Sequence, residues 1–315
     1  MSVKVLQYAA TRPPPLSTLS LDNASAQIHA HITSPLPSSP LIPYPPAYAL
    51  QASLSAHSLA LRREHQQASH NIILLEHAPV YTLGRRGDID SFLFASGLDD
   101  PVYASLRRSN ASKALPADPH STGLLGVGRS GQGYHHDFLR HLQTPPCSTT
   151  APLTHPANNA LLLRVDRGGD VTWHGPGQLT CYPLIDLTSP DFKKDLHWYL
   201  QKIEDVVITV LHDFNVAGHR DPRGTGVWVD VGGSRRKIAT VGIGCASWIT
   251  RHGFAINVTR ESQPFAESIV PCGIEKGEGE VCCLEDVVGD VGGVPEVAER
   301  AKAAFEEVFQ IELTK

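Results

Sequence analysis

The chain has 315 residues, a formal net charge of −5 and 41% hydrophobic residues. This length and composition predict a globular protein with a sizeable core, and the modest charge argues against a dedicated nucleic-acid binder. No apolar run reaches the about 18 residues of a spanning helix, so we expect no membrane span. The six cysteines include no CxxC pair. They favour a reducing compartment over a disulfide scaffold or a cysteine metal site.

Residues 1–46 form an N-terminal segment rich in proline, serine and alanine. Such a composition buries too little apolar surface to order itself, so we interpret the segment as a leader or a surface wrapping. Among the first 63 residues Asp22 is the single acid. Scarcity of acids is typical of organelle targeting peptides, although the prolines disfavour the amphipathic helix that such peptides form. We expect residues 47–315 to make up the folded domain.

The folded part opens with a helix and two strands. From Ala47, apolar residues recur at helical spacing, which predicts a helix whose apolar positions include Leu50, Leu54 and Leu61. The segments NIILLEH and VYTLG then predict two short strands on either side of a turn at Ala78 and Pro79.

Periodicity fades between residues 88 and 159, where glycine, proline, serine and histidine accumulate. We interpret this stretch as a loop-rich insertion. Within it, Gly126–Gly131 (GVGRSG) matches the dinucleotide fingerprint GxGxxG. No strand precedes the match and no amphipathic helix begins on it, so it is a weak indication of nucleotide binding.

The second half of the chain alternates strands and helices. Apolar spacing predicts an amphipathic helix over Asp191–Asn215 and a last helix after Pro295. Between them, TGVWVDV, RRKIATVGIG and RHGFAINV predict antiparallel strands, the first two joined through Gly232 and Gly233. The pattern predicts an α+β fold with one mixed, largely antiparallel sheet and packed helices.

The stretch Asp166–Leu179, DRGGDVTWHGPGQL, contains four glycines beside a guanidinium and an imidazole. A backbone without side chains can approach a ligand closely and turn its amides toward an oxyanion. Arg167 and His174 favour this functional interpretation. A tight connection between two strands is the alternative.

Two further residues are candidates for chemistry. Cys272 lies in a turn between Pro271 and Gly273, which is a suitable place for a nucleophilic thiol, although free cysteines are more often inert packing residues. Lys237 leads directly into the apolar strand IATVGIG. A partly desolvated lysine there can act as an acid and a base, whereas an edge-strand lysine would be merely solvated.

Taken together, five ordered motifs resemble those of the lipoyl(octanoyl) transferases, which share a catalytic fold with the biotin and lipoate protein ligases. The resemblance covers roughly Tyr44–Phe309 without the insertion. The motifs are EHAPVYTLGR (residues 76–85), RGGDVTWHGPGQLTCYPLIDL (167–187), RKIATVGIG (236–244), HGFAINV (252–258) and PCGI (271–274).

The resemblance implies transfer of an octanoyl or lipoyl group through a covalent thioester. By this resemblance Cys272 is the nucleophile, and Lys237 keeps it ionised and carries protons. The same resemblance assigns the acyl group and its thioester to residues of three motifs. They are Arg167, Gly168, Gly169, Asp170, Val171, Thr172, Trp173, His174, Thr240, Val241, Gly242, His252, Gly253, Phe254 and Ala255.

The partners that the resemblance implies are octanoyl-acyl carrier protein as donor and lipoyl domains as acceptors, namely those of 2-oxoacid dehydrogenases and the glycine cleavage H protein. No ATP, metal or other cofactor is expected. The insertion is of a eukaryotic type, which together with the acid-poor leader predicts a mitochondrial location. Because such protein substrates are usually acidic, we also expect a basic rim that some of four arginines form: Arg167, Arg235, Arg236 and Arg251.

The sequence departs from the family pattern at Trp173, where the family usually has tyrosine, at Ala78, where proline is common, and in the insertion. Two alternatives remain open at this point. One is an ATP-dependent lipoate or biotin ligase on the same fold, which needs no cysteine. The other is an acyl-binding protein without catalytic activity.

Overall fold

The structure is a computed structural model that describes residues 2–7, 41–66, 69–87, 154–155, 158–222, 224–263, 269 and 280–314. The strands are β1 (Ser2–Gln7), β2 (Asn71–Leu75), β3 (Val80–Leu83), β4 (Leu161–Arg164), β5 (Val171–His174), β6 (Gln178–Leu184), β7 (His219–Asp221), β8 (Gly224–Val231), β9 (Ser234–Ala246), β10 (Ile249–Asn257), β11 (Glu280–Val281) and β12 (Glu312–Thr314). The helices are α1 (Tyr44–Arg63), α2 (Leu196–His212), α3 (Leu284–Val288) and α4 (Gly293–Phe309).

The described strands form two sheets. The larger has nine strands in the order β12-β1-β2-β6-β10-β9-β8-β7, with β11 added beside β9. Its central pairs are antiparallel, whereas β1 runs parallel to both its neighbours and β11 runs parallel to β9. The smaller sheet has the order β4-β3-β5. The α+β class is therefore confirmed, but the strands divide into two sheets where one was expected.

Both faces of the larger sheet are covered, and the strand sequences show why. Alternate residues of a strand point to opposite faces. On β2, Ile72 and Leu74 join the main core under α2 and α4, whereas Ile73 and Leu75 pack beneath α1. Strands β2 and β6 are consequently apolar along most of their length and buried at every position.

The two helices on the main core form where their spacing predicts them, although α4 begins at Gly293, two residues before Pro295, because a helix tolerates proline in its first turn. Helix α2 begins after Asp195, whose carboxylate accepts hydrogen bonds from the amides of His197 and Trp198. Such an N-cap satisfies amides that would otherwise lack partners, so the helix starts five residues later than expected. In α4, Val297, Ala301 and Phe305 are fully buried, as expected for its apolar face.

Helix α1 differs from its prediction in the face that it buries. It begins at Tyr44, with two prolines in its first turn, and Leu50 and Leu54 do pack against the sheet. Its two most buried side chains are those of the polar residues Gln51 and Ser58. The helix therefore contacts polar groups that its own periodicity does not reveal.

Several sequence predictions lie wholly or mostly outside the described residues. They are residues 8–40 of the N-terminal segment 1–46, the insertion at 88–159 apart from four residues near its end, and the GxGxxG match. The other residues of that segment differ from the prediction, because residues 2–7 form β1 between β12 and β2 and the first helix begins at Tyr44. The folded part is therefore not confined to residues 47–315. None of the helices in the described residues combines the length and the apolar character that a membrane-spanning helix requires.

Candidate active site

Lys237 is a buried cation on β9, with 2% of its surface exposed. Its ammonium nitrogen lies 5.2 Å from the ring centroid of Trp228, the residue opposite it on β8. An aromatic face attracts a cation, so Trp228 gives the buried ammonium a favourable contact. Because β9 is paired on both sides, Lys237 lies inside the sheet and not on an exposed edge.

Gly226 leaves the space that the Lys237 side chain occupies. Its φ is +123°, and a Cβ there would come within 2.6 Å of Lys237 Cε. The amide of Gly226 donates a 3.0 Å hydrogen bond to Glu204 Oε1, a buried carboxylate on α2. The register of β8 against β9 shifts directly after this point, and such bulges redirect neighbouring side chains. Glu204 thus holds the bulge beside the lysine.

Cys272 lies outside the described residues, but the chain on either side of it is described at Ile269 and from residue 280. On leaving the 270–279 segment, the chain pairs with β9 at Lys237: Val281 is the residue opposite, and the amide of Cys282 donates to the Lys237 carbonyl at 3.1 Å. The segment that contains Cys272 therefore ends against the strand of Lys237.

Four other cysteines are described, and burial raises the pKa of each. The pKa is about 12 for Cys282 and about 11 for Cys283, and it is also raised for Cys181 and Cys245. A nucleophilic cysteine needs a lowered pKa, because the thiolate is the reactive form. None of these four thiols is suited to nucleophilic attack.

The loop of residues 166–170 is held by a buried arginine. Arg167 donates from Nη2 to the carbonyl oxygen and the hydroxyl of Thr82, at 2.7 and 2.9 Å, and from Nη1 to the Gly168 carbonyl. The Gly168 amide is itself bonded to the Ile243 carbonyl. Arg167 therefore acts as a structural support beneath the loop, and the Gly168 amide is occupied and does not face an oxyanion.

A cluster of charged groups lies behind this loop, and the sequence did not reveal it. Asp166 forms an ion pair with Arg251, accepts from His252 Nε2 at 2.8 Å and accepts from the Tyr48 hydroxyl at 3.2 Å. Burial alone would raise the pKa of Asp166, but His252 and Arg251 hold it well below its usual range. The backbone of His252 is left-handed, with φ +56°, and its amide donates to Gln51 on α1. The cluster joins α1, the loop and β10.

His174 ends β5 and is buried near the rings of Tyr44 and His77. Burial lowers its pKa well below its ordinary value, and the charges of His77 and Arg167 act in the same direction. The imidazole is therefore neutral at pH 7. One ring nitrogen, Nδ1, is bonded to Gln178 Oε1 at 2.9 Å.

Strands β9 and β10 present their site residues on two faces. Thr240 pairs with Ala255 and Gly242 with Gly253, and a Cβ at Gly242 would lie 3.2 Å from Arg167. These small residues therefore share the face that the glycine-rich loop covers.

Apart from His252, described above, two further expected residues lie on these strands, Val241 and Phe254, and their side chains point away from this face. Both belong to the main core, where Phe254 stacks on Phe305 of α4. Their side chains support the sheet and do not line the face beneath the loop. The alternation of a strand explains the difference, because adjacent residues point to opposite faces.

The remaining loop residues belong to β5 and the turn before it. Val171 and Trp173 are buried, and the Trp173 indole packs 5.2 Å from the Tyr81 ring. Thr172 is cross-strand from Thr82, and the Asp170 carbonyl accepts from the Gly84 amide at 2.7 Å. A Cβ at Gly84 would collide with the Gly169 carbonyl. These glycines therefore allow the backbone at Gly84 and the backbone of the loop to pack closely against each other.

The expected basic rim is smaller than proposed from sequence. Arg167 and Arg251 are buried in the contacts described above, so they cannot form part of a surface rim. Arg235 is exposed but forms an ion pair with the buried Asp221 at 2.8 Å. Among the described residues, no group of three or more histidine, cysteine, aspartate or glutamate side chains could hold a metal ion.

Comparison with known proteins identifies the family of the chain. The Lipoyl protein ligase A/B catalytic domain family matches residues 131–306. An octanoyltransferase of Gloeobacter violaceus is 34% identical over 272 residues, which is 86% of this chain and 88% of the relative. The chain belongs to the octanoyltransferase family. A chloroplastic octanoyltransferase of Arabidopsis thaliana is also 34% identical, over 87% of this chain and 78% of the relative. The protein is thus an acyltransferase.

Solved structures support the fold of this octanoyltransferase. A protein of T. acidophilum, described as a lipoate protein ligase and solved with bound lipoic acid, matches with a TM-score of 0.50 at 11% identity. The match covers 100% of this chain and 88% of that chain. At this identity the likeness shows the fold alone, which is the lipoate protein ligase catalytic fold.

Sequence reasoning missed several polar residues of the site. Gln178 and Asn257 lie inside two of the five quoted motifs, and this position is the signal that could have identified them as site residues. Asp166 is the first residue of the glycine-rich stretch and carried the same kind of signal, whereas Tyr48 and Glu204 carried none.

Proposed function

We propose that this enzyme transfers an octanoyl or lipoyl group from acyl carrier protein to a lysine of lipoyl domains, through a thioester on Cys272. The acceptors would be the lipoyl domains of 2-oxoacid dehydrogenases and the glycine cleavage H protein. The observation that carries the proposal is the buried Lys237, against whose strand the chain from Cys272 returns. The exclusion of the four described cysteines as thiolates supports the same assignment.

The first step forms the acyl-enzyme. The Cys272 thiolate attacks the carbonyl carbon of the donor thioester, and the bond from that carbon to the phosphopantetheine sulfur breaks. The leaving sulfur takes a proton from the Lys237 ammonium. One thioester replaces another, so this step is nearly balanced in energy.

The second step makes the amide. The amine of the acceptor lysine attacks the octanoyl carbonyl, Lys237 takes the proton that the amine loses, and Cys272 leaves as a thiolate. An amide is more stable than a thioester, so the step is downhill and no ATP or metal is required. Both catalytic groups return to their starting protonation states.

The acyl group would bind between the glycine-rich loop and the face of β9 and β10 that carries Thr240, Gly242, Gly253 and Ala255. The loop already contacts this face at Gly242, where a Cβ would lie 3.2 Å from Arg167, so the acyl chain would have to lie beside that contact, along Thr240 and Ala255. The buried hydrogen bonds from Arg167 to Thr82 hold the loop in its position beside these strands.

A transfer assay without ATP tests the proposal. Wild-type enzyme, octanoyl-acyl carrier protein and a lipoyl domain are mixed, and the mass of the lipoyl domain is followed. We expect the domain to gain one octanoyl group, and we expect Cys272→Ser to abolish the gain. Cys245→Ser is the matched control, because Cys245 is a described cysteine with a raised pKa, and it should retain activity.

Two outcomes of this assay would contradict the proposal. Transfer that occurs only with ATP would favour a ligase. Binding of the donor without any transfer would favour an acyl-binding protein.

A mitochondrial location is part of the proposal and is supported by the acid-poor first 63 residues and the eukaryotic-type insertion. Imaging of the full chain with a C-terminal fluorescent tag tests it. Signal confined to another compartment would contradict it.

A further inference from the structure

Four polar groups form a continuous hydrogen-bonded row across three elements of the site. His174 Nδ1 contacts Gln178 Oε1 at 2.9 Å, Gln178 Nε2 contacts Asn257 Oδ1 at 2.9 Å, and Asn257 Nδ2 contacts the Cys282 carbonyl oxygen at 3.2 Å. Gln178 and Asn257 are directly opposite each other on β6 and β10. The row therefore runs from the glycine-rich stretch to the residue that follows β11.

The hydrogen bonds of the row have a fixed order of donors and acceptors, which the Cys282 carbonyl determines. A backbone carbonyl can only accept, so Asn257 must face Cys282 with its NH₂ group and face Gln178 with its oxygen. Gln178 must then donate with its own NH₂ group, which leaves its oxygen facing His174. The opposite orientation would place the Asn257 oxygen against the Cys282 carbonyl, with no proton between them.

The direction of the row determines where the proton of His174 lies. Because Gln178 offers an oxygen, Nδ1 of His174 must carry a hydrogen. The ring is neutral at pH 7. A neutral imidazole carries one such hydrogen, so Nε2 has a lone pair and can only accept.

We propose that Gln178 and Asn257 are positioning residues that hold His174 in its Nδ1-protonated form, so that Nε2 accepts a hydrogen bond from the substrates. The group that Nε2 would accept from is an N–H, such as a pantetheine amide or the attacking amine. His174 in this form cannot donate to the thioester oxygen. The inference depends on the proposed function only for the statement that substrates bind beside His174.

The row also links His174 to the catalytic strand. The amide of Cys282 donates to the Lys237 carbonyl at 3.1 Å, while its carbonyl accepts from Asn257. The backbone N–H and C=O of Cys282 are thus both hydrogen-bonded, at the place where the chain from Cys272 rejoins the sheet. Asn257, which sets the His174 proton through Gln178, therefore also holds the end of that segment.

The proton position on His174 is measurable without any activity assay. Nitrogen-15 NMR of the histidine rings distinguishes Nδ1-protonated from Nε2-protonated imidazole, and comparison with His174→Gln assigns the signal. In the wild-type enzyme we expect Nδ1 to be protonated at pH 7. Protonation at Nε2 would overturn the proposal.

Two substitutions test the row. Asn257→Leu removes the group that orients Gln178, although residue 257 does not itself contact His174. We therefore expect His174 in this variant to be a mixture of the Nδ1-protonated and Nε2-protonated forms. Gln178→Glu places a carboxylate against Nδ1, so we expect the pH at which His174 titrates to rise. The other charged or titratable groups that face His174 are His77, Arg167, His252 and the stacked Tyr44, and both variants retain them.

Asn71→Leu is the matched control. Asn71 is an equally buried asparagine on β2 of the same sheet, bonded to Ser69 outside the row. A purely structural effect would alter stability in both asparagine variants and leave the His174 proton in place. An Asn257→Leu enzyme in which His174 stays wholly Nδ1-protonated, or a Gln178→Glu enzyme with an unchanged titration, would overturn the proposal.

These measurements separate the inference from the proposed function. If octanoyl transfer by Cys272 failed but the NMR results held, the row would stand and the reaction would need revision. In the active enzyme, we expect Asn257→Leu to lower kcat/KM for octanoyl transfer more than Asn71→Leu does at equal folded fraction.

Discussion

Replacing Gly226 by alanine is expected to displace Lys237. The added Cβ would lie 2.6 Å from Lys237 Cε and 2.6 Å from the carbonyl oxygen of Ala239, whereas ordinary contacts begin at 3.4 Å. The lysine side chain and the backbone must therefore each move by about 0.8 Å or more. The φ of +123° adds strain, because side chains with a Cβ rarely adopt it.

The expected cost has a structural part and a catalytic part. Backbone strain at such a φ costs about 1–3 kcal/mol, and the collision with a backbone oxygen raises the total loss of unfolding free energy to about 2–4 kcal/mol. A misplacement of about 1 Å in a catalytic group can lower the rate about a hundredfold. We expect a loss of that order for octanoyl transfer per folded molecule.

The assay combines urea unfolding with single-turnover transfer, so that the rate can be corrected for the folded fraction. Gly232→Ala is the matched control: Gly232 also has a positive φ, +60°, but a Cβ there meets nothing within 4 Å. The control should lose about 1 kcal/mol of stability and keep its rate. Equal transfer rates per folded molecule in the two variants would refute the role given to Gly226.

Asp166→Asn is expected to lower the unfolding free energy by about 3–5 kcal/mol, because it leaves the buried Arg251 without its carboxylate; a loss below about 1 kcal/mol in urea titration would contradict this. Burial lowers the pKa of His77 from 6.5 to about 4. Between pH 6.5 and pH 4 this imidazole is therefore protonated in the unfolded chain but not in the folded one. The free energy of unfolding should decrease by about 3 kcal/mol as the pH falls through this range. His77→Gln should make that decline shallower, and an unchanged slope would exclude His77 as its source. If Arg235 and Arg236 attract acidic protein substrates, kcat/KM should decrease with ionic strength, and a flat profile would remove the basic rim altogether.

Local sequence signals predicted the elements that depend on near neighbours. The spacing of Val297, Ala301 and Phe305 predicts the buried face of α4, and the Gly232–Gly233 pair predicts the hairpin between β8 and β9, where both glycines have positive φ. These features need only the chain within a few residues, where periodicity and turn preferences act.

The features that sequence did not predict depend on partners far along the chain. Asp166 meets Arg251 across 85 residues, and neither has a neighbour in sequence that indicates the contact. For the same reason Arg167 and Arg251 were expected at the surface, since an arginine without a visible partner is normally exposed. The second sheet was missed because β3 pairs with β4 across the 88–159 insertion.

The most direct test of the account is the mass of the enzyme after incubation with octanoyl-acyl carrier protein in the absence of an acceptor. We expect the intact protein to gain one octanoyl group, peptide mapping to locate it on Cys272, and a lipoyl domain added afterwards to remove it. Cys245→Ser should gain the same group. An unchanged mass in an enzyme that still transfers octanoyl groups, or an acyl group located on Lys237, would contradict the proposed sulfur intermediate.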